Sequence, residues 1–175
     1  LKSFGYNIRR IIKLLSKVKL PKGRMEVIKK DKSVVIIDYA HTPDAVKNTL
    51  KSGCEFKKGK IYTVVGCGGN RDRGKRKDMG IIATKYSDYV IFTNDNPRDE
   101  DEKVIMNDIT EEITSNNYEI LFDRREAIKK GIDFLRDEDI LFILGKGHED
   151  YQIIKGVKYH FDDKEEVLNY IEKNA

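Results

Sequence analysis

The stretch SVVIIDYAHTPDA, Ser33 to Ala45, decides how this chain is read. Val34 to Ile37 form a short apolar strand that ends on an acid, Asp38. Pro43 follows at a point where a helix can begin, because a first-turn proline lacks only an N–H that would have no partner there. A strand running into a helix start is half of a βα unit, and the chain repeats the pattern. Ile61–Val65, Tyr89–Phe92, Glu119–Phe122 and Ile140–Leu144 each read as further strands. Helical patterns lie between them: Met79–Tyr86; Ile105, Ile109 and Ile113 at intervals of four; and Ala127, Ile128, Ile132 and Leu135 behind the N-cap candidate Asp123. Near-continuous apolar strands alternating with amphipathic helices are what a parallel sheet covered on both faces requires. The fold class is therefore α/β, an open, mainly parallel sheet with helices on both faces.

The flanks differ. Ile8, Ile11, Ile12, Leu15 and Val18 have helical spacing, and Pro21 and Gly23 close that segment. RMEVIKK and SVVIID then predict a small N-terminal hairpin turning at Lys30–Ser33. Tyr151–Ile154 and Lys158–Phe161 around Gly156 predict a second hairpin. Asp162 opens a last helix through Val167, Leu168 and Ile171.

Composition limits the function classes. The 175 residues carry 39% hydrophobic and 37% charged side chains, with 34 basic against 30 acidic residues for a net charge of +4. No apolar run approaches the roughly 20 residues of a membrane span, and the basic segment 1–20 has no small-residue cleavage site after it, so no signal peptide is expected. Cys54 and Cys67 form neither a disulfide framework nor a metal-ligand pair, which fits a reducing compartment, the cytoplasm. The one concentration of charge is Arg71–Lys77, RDRGKRK, read as a loop that could hold a ligand.

In open α/β sheets ligands bind beyond the carboxyl ends of the strands, where loops converge and helix N-termini point. Four of these ends carry unusual chemistry: DYAHTPD, GCGGNRDRGKR, TNDNPRDED and GKGHEDY. Gly66, Gly68 and Gly69 do not complete a dinucleotide fingerprint, since Arg71 stands where a further glycine belongs. Asp95, Asn96, Pro97 and Arg98 set a fixed φ beside a guanidinium, and proline holds Asn96 extended, so Arg98 can be aimed at a carboxylate. Gly145 and Gly147 around Lys146, with His148 and Glu149 next, suit an amino-bearing ligand. His160, alone, reads as a solvent residue.

GRMEV, DYAHTPDA, GCGGNRDRGKR, DNPR and GKGHEDYQ, in this order and spacing, resemble the C-terminal domain of the Mur ligases over about residues 21–175. Residues 1–20 look like the tail of that family's central ATPase domain and its linker. The resemblance narrows to the branch that adds the third peptide residue of the peptidoglycan precursor. It implies an ATP-dependent amide ligase that converts the UDP-N-acetylmuramoyl-dipeptide carboxylate to an acyl phosphate, which an incoming amino acid attacks. The family's central domain supplies the GxxGK[ST] loop and the magnesium ligands. No such loop occurs in these residues, so the fragment is expected to carry no catalytic residue and no metal ligand of its own. It would hold the amino acid and close over ATP.

By the same resemblance, Arg24 and Asp38 contact the ATP ribose, and His41 and Thr42 lie near its phosphates. Arg71, Asp95, Asn96, Pro97, Arg98, Gly145 and Glu149 bind the amino acid. DNPR resembles the version in enzymes that add meso-diaminopimelate. That amino acid is lysine with a second carboxylate, so Arg98 and Arg71 have a partner for it. With lysine bound, a buried arginine would go unpaired, at about 1–3 kcal/mol. The expected partners are small molecules and the protein's own upstream domains, in a monomer with no membrane or nucleic-acid partner. Two other readings stand beside this one. One is a ligase for lysine or another diamino acid. The other is a free-standing nucleotide- or nucleic-acid-binding module that uses Arg71–Lys77, although no aromatic residue interleaves that run.

Overall fold

The computed structural model describes residues 21–174; the helix and domain tail read over residues 1–20 lie outside them. The sheet order is β1-β2-β6-β3-β4-β5, built from Glu26–Lys30, Ser33–Asp38, Ile140–Leu144, Ile61–Val65, Tyr89–Phe92 and Tyr118–Ile120. Only β1 is antiparallel, joined to β2 through Asp31 and Lys32. Asp31 takes a φ of +52°, and Ser33 Oγ donates to the Lys30 carbonyl at 2.7 Å to close the turn. All other pairings are parallel.

Among the described residues five helices cover the sheet: α1 Pro43–Phe56, α2 Gly74–Tyr86, α3 Glu102–Thr110, α4 Arg124–Phe134 and α5 Asp163–Lys173. Strand side chains alternate between two cores with the period of two that a pleated strand imposes. On β6, Ile140, Phe142 and Leu144 face the core under α1, α2 and α3. Leu141 and Ile143 face the one under α4 and α5. β6 is buried on both faces, which is why its sequence, ILFIL, is continuously apolar. Helix starts are set by caps: Thr42 Oγ1 accepts from the Ala45 amide, Asp101 from Lys103, Asp123 from Arg125 and Glu126, and Asp162 from Lys164 and Glu165.

Three boundaries correct the reading from sequence, the smallest being β5, which is Tyr118–Ile120 rather than Glu119–Phe122. α2 begins at Gly74, five residues before Met79, so half of the basic run RDRGKRK is helix rather than loop. Its buried stripe is Arg76, Met79, Gly80, Ala83 and Thr84. The spacing is helical, but the stripe opens on an arginine and contains a glycine, so hydrophobic periodicity does not reveal it. α3 ends at Thr110, and Ile113 packs against the core from beyond its end.

The topology fixes where a ligand can sit. β3 leads through α2 to β4 on one face, whereas α4 and α5, before and after β6, lie on the other. β3 and β6 are neighbours, so the chain leaves this pair in opposite senses and opens a crevice beyond their carboxyl ends. Gly66 and Gly145 stand at those two ends.

Candidate functional site

A cleft of about 280 Å³ opens there, lined by Tyr39, His41, Gly66, Cys67, Gly68, Arg71, Lys75, Asp95, Asn96, Arg98, Gly145 and Glu149. Six of the seven residues expected to hold an amino acid line it: Arg71, Asp95, Asn96, Arg98, Gly145 and Glu149. Pro97 does not; it is buried beneath and borders a separate acidic hollow with Asp99–Glu102. Of the four residues expected at ATP, His41 alone lines the cleft. Arg24 is exposed and lies over the Tyr39 ring at 4.7 Å. Thr42 caps α1. Asp38 is buried, accepting the Ala40 amide at 2.8 Å and the Met25 amide at 2.9 Å, so its carboxylate fastens the Met25 segment to the end of β2. The strand therefore ends in an acid for a reason of folding, whatever else binds there.

The loop after β4 is held rigidly. Arg98 sits at φ +55°, a strained conformation for a residue with a Cβ. Its amide donates to the Ile153 carbonyl at 2.9 Å and its carbonyl accepts from the Lys155 amide at 2.7 Å. The Tyr151–Ile154 strand of the β7–β8 hairpin (β8 Val157–His160) thus clamps it. Asn96, 2% exposed, accepts from the Ile153 amide and donates to Asp95 and Glu149 at 3.0 and 2.9 Å. The two carboxylates of the cleft are therefore held together by one amide group.

The arginines approach from the glycine loop. Arg98 Nη1 donates to the Gly69 carbonyl at 2.8 Å. A Cβ built on Gly68 would lie 2.9 Å from that Nη1 and 3.6 Å from Arg71 Cγ, and one on Gly69 would lie 1.9 Å from the Pro97 carbonyl oxygen. These two glycines let the DNPR loop lie against the backbone and leave room for both guanidinium groups. Among the described residues Arg71 makes no ion pair, and Arg98 uses only Nη1 for hydrogen bonds. Two cations with free donors thus line one cleft with two carboxylates.

Three buried basic residues that sequence reasoning left unassigned support this arrangement. Lys146, fully buried, reaches the Tyr151 carbonyl and Glu149 Oε2, the latter at 3.4 Å; burial pushes its ammonium pKa down. Arg124, fully buried, makes two 2.8 Å bonds to Asp163 and one of 3.0 Å to the Leu144 carbonyl at the end of β6. Arg76 binds Glu100, Asp108 and the Gly68 carbonyl. Tyr39, also missed, lies close to His41 and His148, with ring centroids 4.5 and 4.9 Å away. Burial, then the Glu149 and Asp95 charges, push its phenol pKa up. Burial raises the Cys67 thiol to about 12, so this cleft cysteine is not a thiolate.

The basic ligand loop expected over Arg71–Lys77 is narrowed by pairing to Arg71 and Lys75, which line the cleft. Arg73 and Arg76 both bind Asp108, Arg76 binds Glu100, and Lys77 binds Glu112. Lys75 Nζ donates to the His41 carbonyl at 3.0 Å. Arg71 and Lys75 remain to line the cleft, while the pairing of Arg73, Arg76 and Lys77 reduces the positive charge on which the nucleic-acid reading relies.

Arg76, then the Asn70 amide, hold the Glu100 carboxyl down to about 2 from an ordinary 4.5. A depressed carboxylate stabilises the fold above its unfolded pKa, and this contribution fades as pH falls through the folded value. Glu100→Gln is expected to cost about 1.5–3 kcal/mol at pH 7. In urea unfolding the gap between variant and parent should close between pH 4.5 and about 2. A gap independent of pH would show that Glu100 acts by shape rather than charge.

Comparison with known proteins gives the family and the fold. A family model described as Mur ligase, glutamate ligase domain, matches residues 23–147. UDP-N-acetylmuramoyl-L-alanyl-D-glutamate--2,6-diaminopimelate ligase of Aquifex aeolicus is 56% identical over 83% of this chain and 30% of its own length. The Clostridium tetani protein of the same name is 44% identical over 97% of this chain and 36% of its own. The chain thus spans about a third of the length of these curated relatives. A solved structure of a ligase of that name superposes with a TM-score of 0.84 at 39% identity, covering 99% of this chain and 36% of that one. A UDP-N-acetylmuramate-alanine ligase from Thermotoga maritima, at 18% identity and a TM-score of 0.64, shares the fold.

Proposed function

The chain belongs to the Mur ligase family, and from that membership we propose that it is the amino-acid-binding domain of a ligase adding meso-diaminopimelate to UDP-N-acetylmuramoyl-L-alanyl-D-glutamate in the cytoplasm. The observation that carries this reading is the charge content of the cleft: Arg71 and Arg98, which meet beside Gly68, line it together with Asp95 and Glu149, which Asn96 joins. Meso-diaminopimelate has two carboxylates and two amines, so it needs both signs. Arg98 would grip the distal carboxylate, Arg71 would assist it, and Glu149 or Asp95 would hold an ammonium group. Held this way, the other amine points out of the cleft toward the acceptor. Positioning a nucleophile is the largest contribution that a domain without its own acid–base machinery can make.

ATP, when bound, supplies the phosphoryl group that activates the acceptor carboxylate. We assign its ribose to Arg24 and Asp38 and its phosphate side to His41 and Thr42; these residues gather at the end of β2 and the N-terminus of α1, where free amides favour an anion. Among the described residues no group of three or more His, Cys, Asp or Glu could hold a metal ion. Magnesium is therefore not fitted by these residues, and we assign its ligands to the rest of the whole protein. No described helix is long and apolar enough to cross a membrane.

The test uses the whole protein, with ATP, the UDP-linked dipeptide and either meso-diaminopimelate or L-lysine, reading the amide product by mass. Product with diaminopimelate, at about 10- to 100-fold higher kcat/KM than with lysine, is expected from the stranded-arginine cost. Preference for lysine would overturn the substrate assignment, and no product with either would overturn the ligase reading.

A further inference from the structure

The basic run Arg71–Lys77 contains one side chain with four hydrogen bonds and no exposure. Arg76 lies fully buried at the start of α2. Nη1 donates to Glu100 Oε1 at 2.7 Å and Asp108 Oδ2 at 2.8 Å. Nη2 donates to Glu100 Oε2 at 2.7 Å and to the Gly68 carbonyl at 3.1 Å. One rigid fork thereby joins three segments: the glycine loop after β3, the turn after the DNPR loop, and α3. Glu100 completes the connection, because its Oε2 also accepts the Asn70 amide at 2.9 Å. The Gly69 amide, between them, donates to the Asn96 carbonyl at 2.9 Å.

Gly68 and Asn70, fixed by this network, flank the stretch that ends in Arg71. Pro97 and Glu100, fixed from the other side, bracket Arg98; the Glu100 amide donates to the Pro97 carbonyl at 3.1 Å. We propose that Arg76 and Glu100 form a clasp setting the spacing of Arg71 and Arg98, so that Arg76, which does not line the cleft, is a positioning residue for amino-acid selectivity. The clasp suits this job because a planar guanidinium gripping a carboxylate at two points fixes orientation as well as distance. A surface ion pair would let the two loops drift. The selectivity half of the proposal rests on the ligase reading above; the geometric half does not.

Two measurements separate them. In the whole protein, Arg76→Lys keeps the charge but loses the fork. It is expected to lower kcat/KM for meso-diaminopimelate by about 10- to 100-fold, as a displacement of about 1 Å does. KM for ATP should stay within about twofold, and the preference over lysine should fall. A merely structural loss would lower both substrates' kinetics together and leave the preference intact, which would overturn the selectivity role. The second measurement is amide hydrogen exchange in the 175-residue chain. Glu100→Gln and Arg76→Lys are expected to speed exchange at Gly69 and Asn70 about tenfold and leave β6 amides unchanged. Unchanged Gly69 and Asn70 amides would overturn the clasp itself. A parent enzyme that forms no product would end the ligase reading and leave the clasp to be judged by exchange.

Discussion

Arg98→Ala in the whole protein is expected to reduce kcat/KM for meso-diaminopimelate by about 10²-fold or more, while KM for ATP changes little. Truncation removes a charged hydrogen-bonding partner from a bound carboxylate, and pairs of this kind contribute about 1.5–3 kcal/mol when desolvated. The loss should be specific, because the backbone that presents Arg98 is held by the Ile153 carbonyl and the Lys155 amide rather than by its side chain. Alanine keeps the Cβ, so the strain of a +55° φ stays the same. Arg98→Gly relieves that strain and is expected to raise stability relative to the alanine variant while abolishing the same contact. A melting temperature that rises in the glycine variant, with activity as low as in the alanine variant, would separate the guanidinium's role from the backbone's. Activity with lysine should fall far less than activity with diaminopimelate, since lysine has no distal carboxylate to lose. Equal losses with both amino acids would place Arg98 elsewhere than on the second carboxylate.

The contrast between Arg98 and Arg76 shows what was legible in the sequence. The sheet was readable because each strand is short, apolar and followed by a helix start, and β2, β3, β4 and β6 fall where that pattern puts them. The cleft was readable because the strand-end rule reduces the search to a few loops, and DNPR and GKGHED carry charges that no turn requires. Arg76 was not, because its burial depends on partners 24 and 32 residues away, Glu100 and Asp108, whose approach is a product of the packing of α2 on α3. Charge runs are usually solvated, and nothing in RDRGKRK itself distinguishes the exposed Arg71 from the buried Arg76. Only the spacing of Arg76 with Met79, Gly80 and Ala83 hinted at it. Asp38 carries a role that the sequence did not show: two backbone amides hold its carboxylate, so besides any ligand it fastens the Met25 segment to the end of β2.

Arg124 raises the same question at greater depth, and its removal is expected to be the most destabilising change in this domain. Arg124 and Asp163 are both fully buried, each at the first turn of its helix, and they join α4 to α5 with two 2.8 Å bonds. Burial pushes the guanidinium toward its neutral form, but Asp163, then Asp95 and Glu149, outweigh it and raise its pKa. Arg124→Met would leave the fully buried Asp163 carboxylate without its cation, at about 3–5 kcal/mol. Against a typical domain stability of about 5–15 kcal/mol, that is a large fraction of the whole. Urea unfolding should show the midpoint falling with an unchanged slope. The double variant Arg124→Met, Asp163→Leu should recover most of the loss, because two apolar side chains of similar volume replace the pair without an orphan charge. A single variant costing less than about 1 kcal/mol would mean that Asp163 is neutral or hydrated in the native protein. The recovered double variant also tests why the pair is there. Arg124 is one of two buried cations whose charge acts on Asp95 and Glu149; the double variant removes it together with the Asp163 anion, so the net charge near the cleft is unchanged and dicarboxylate binding is expected to change little. Stability without affinity in that variant would mark the pair as part of the electrostatics of the cleft, and stability with full affinity would confine it to joining the helices.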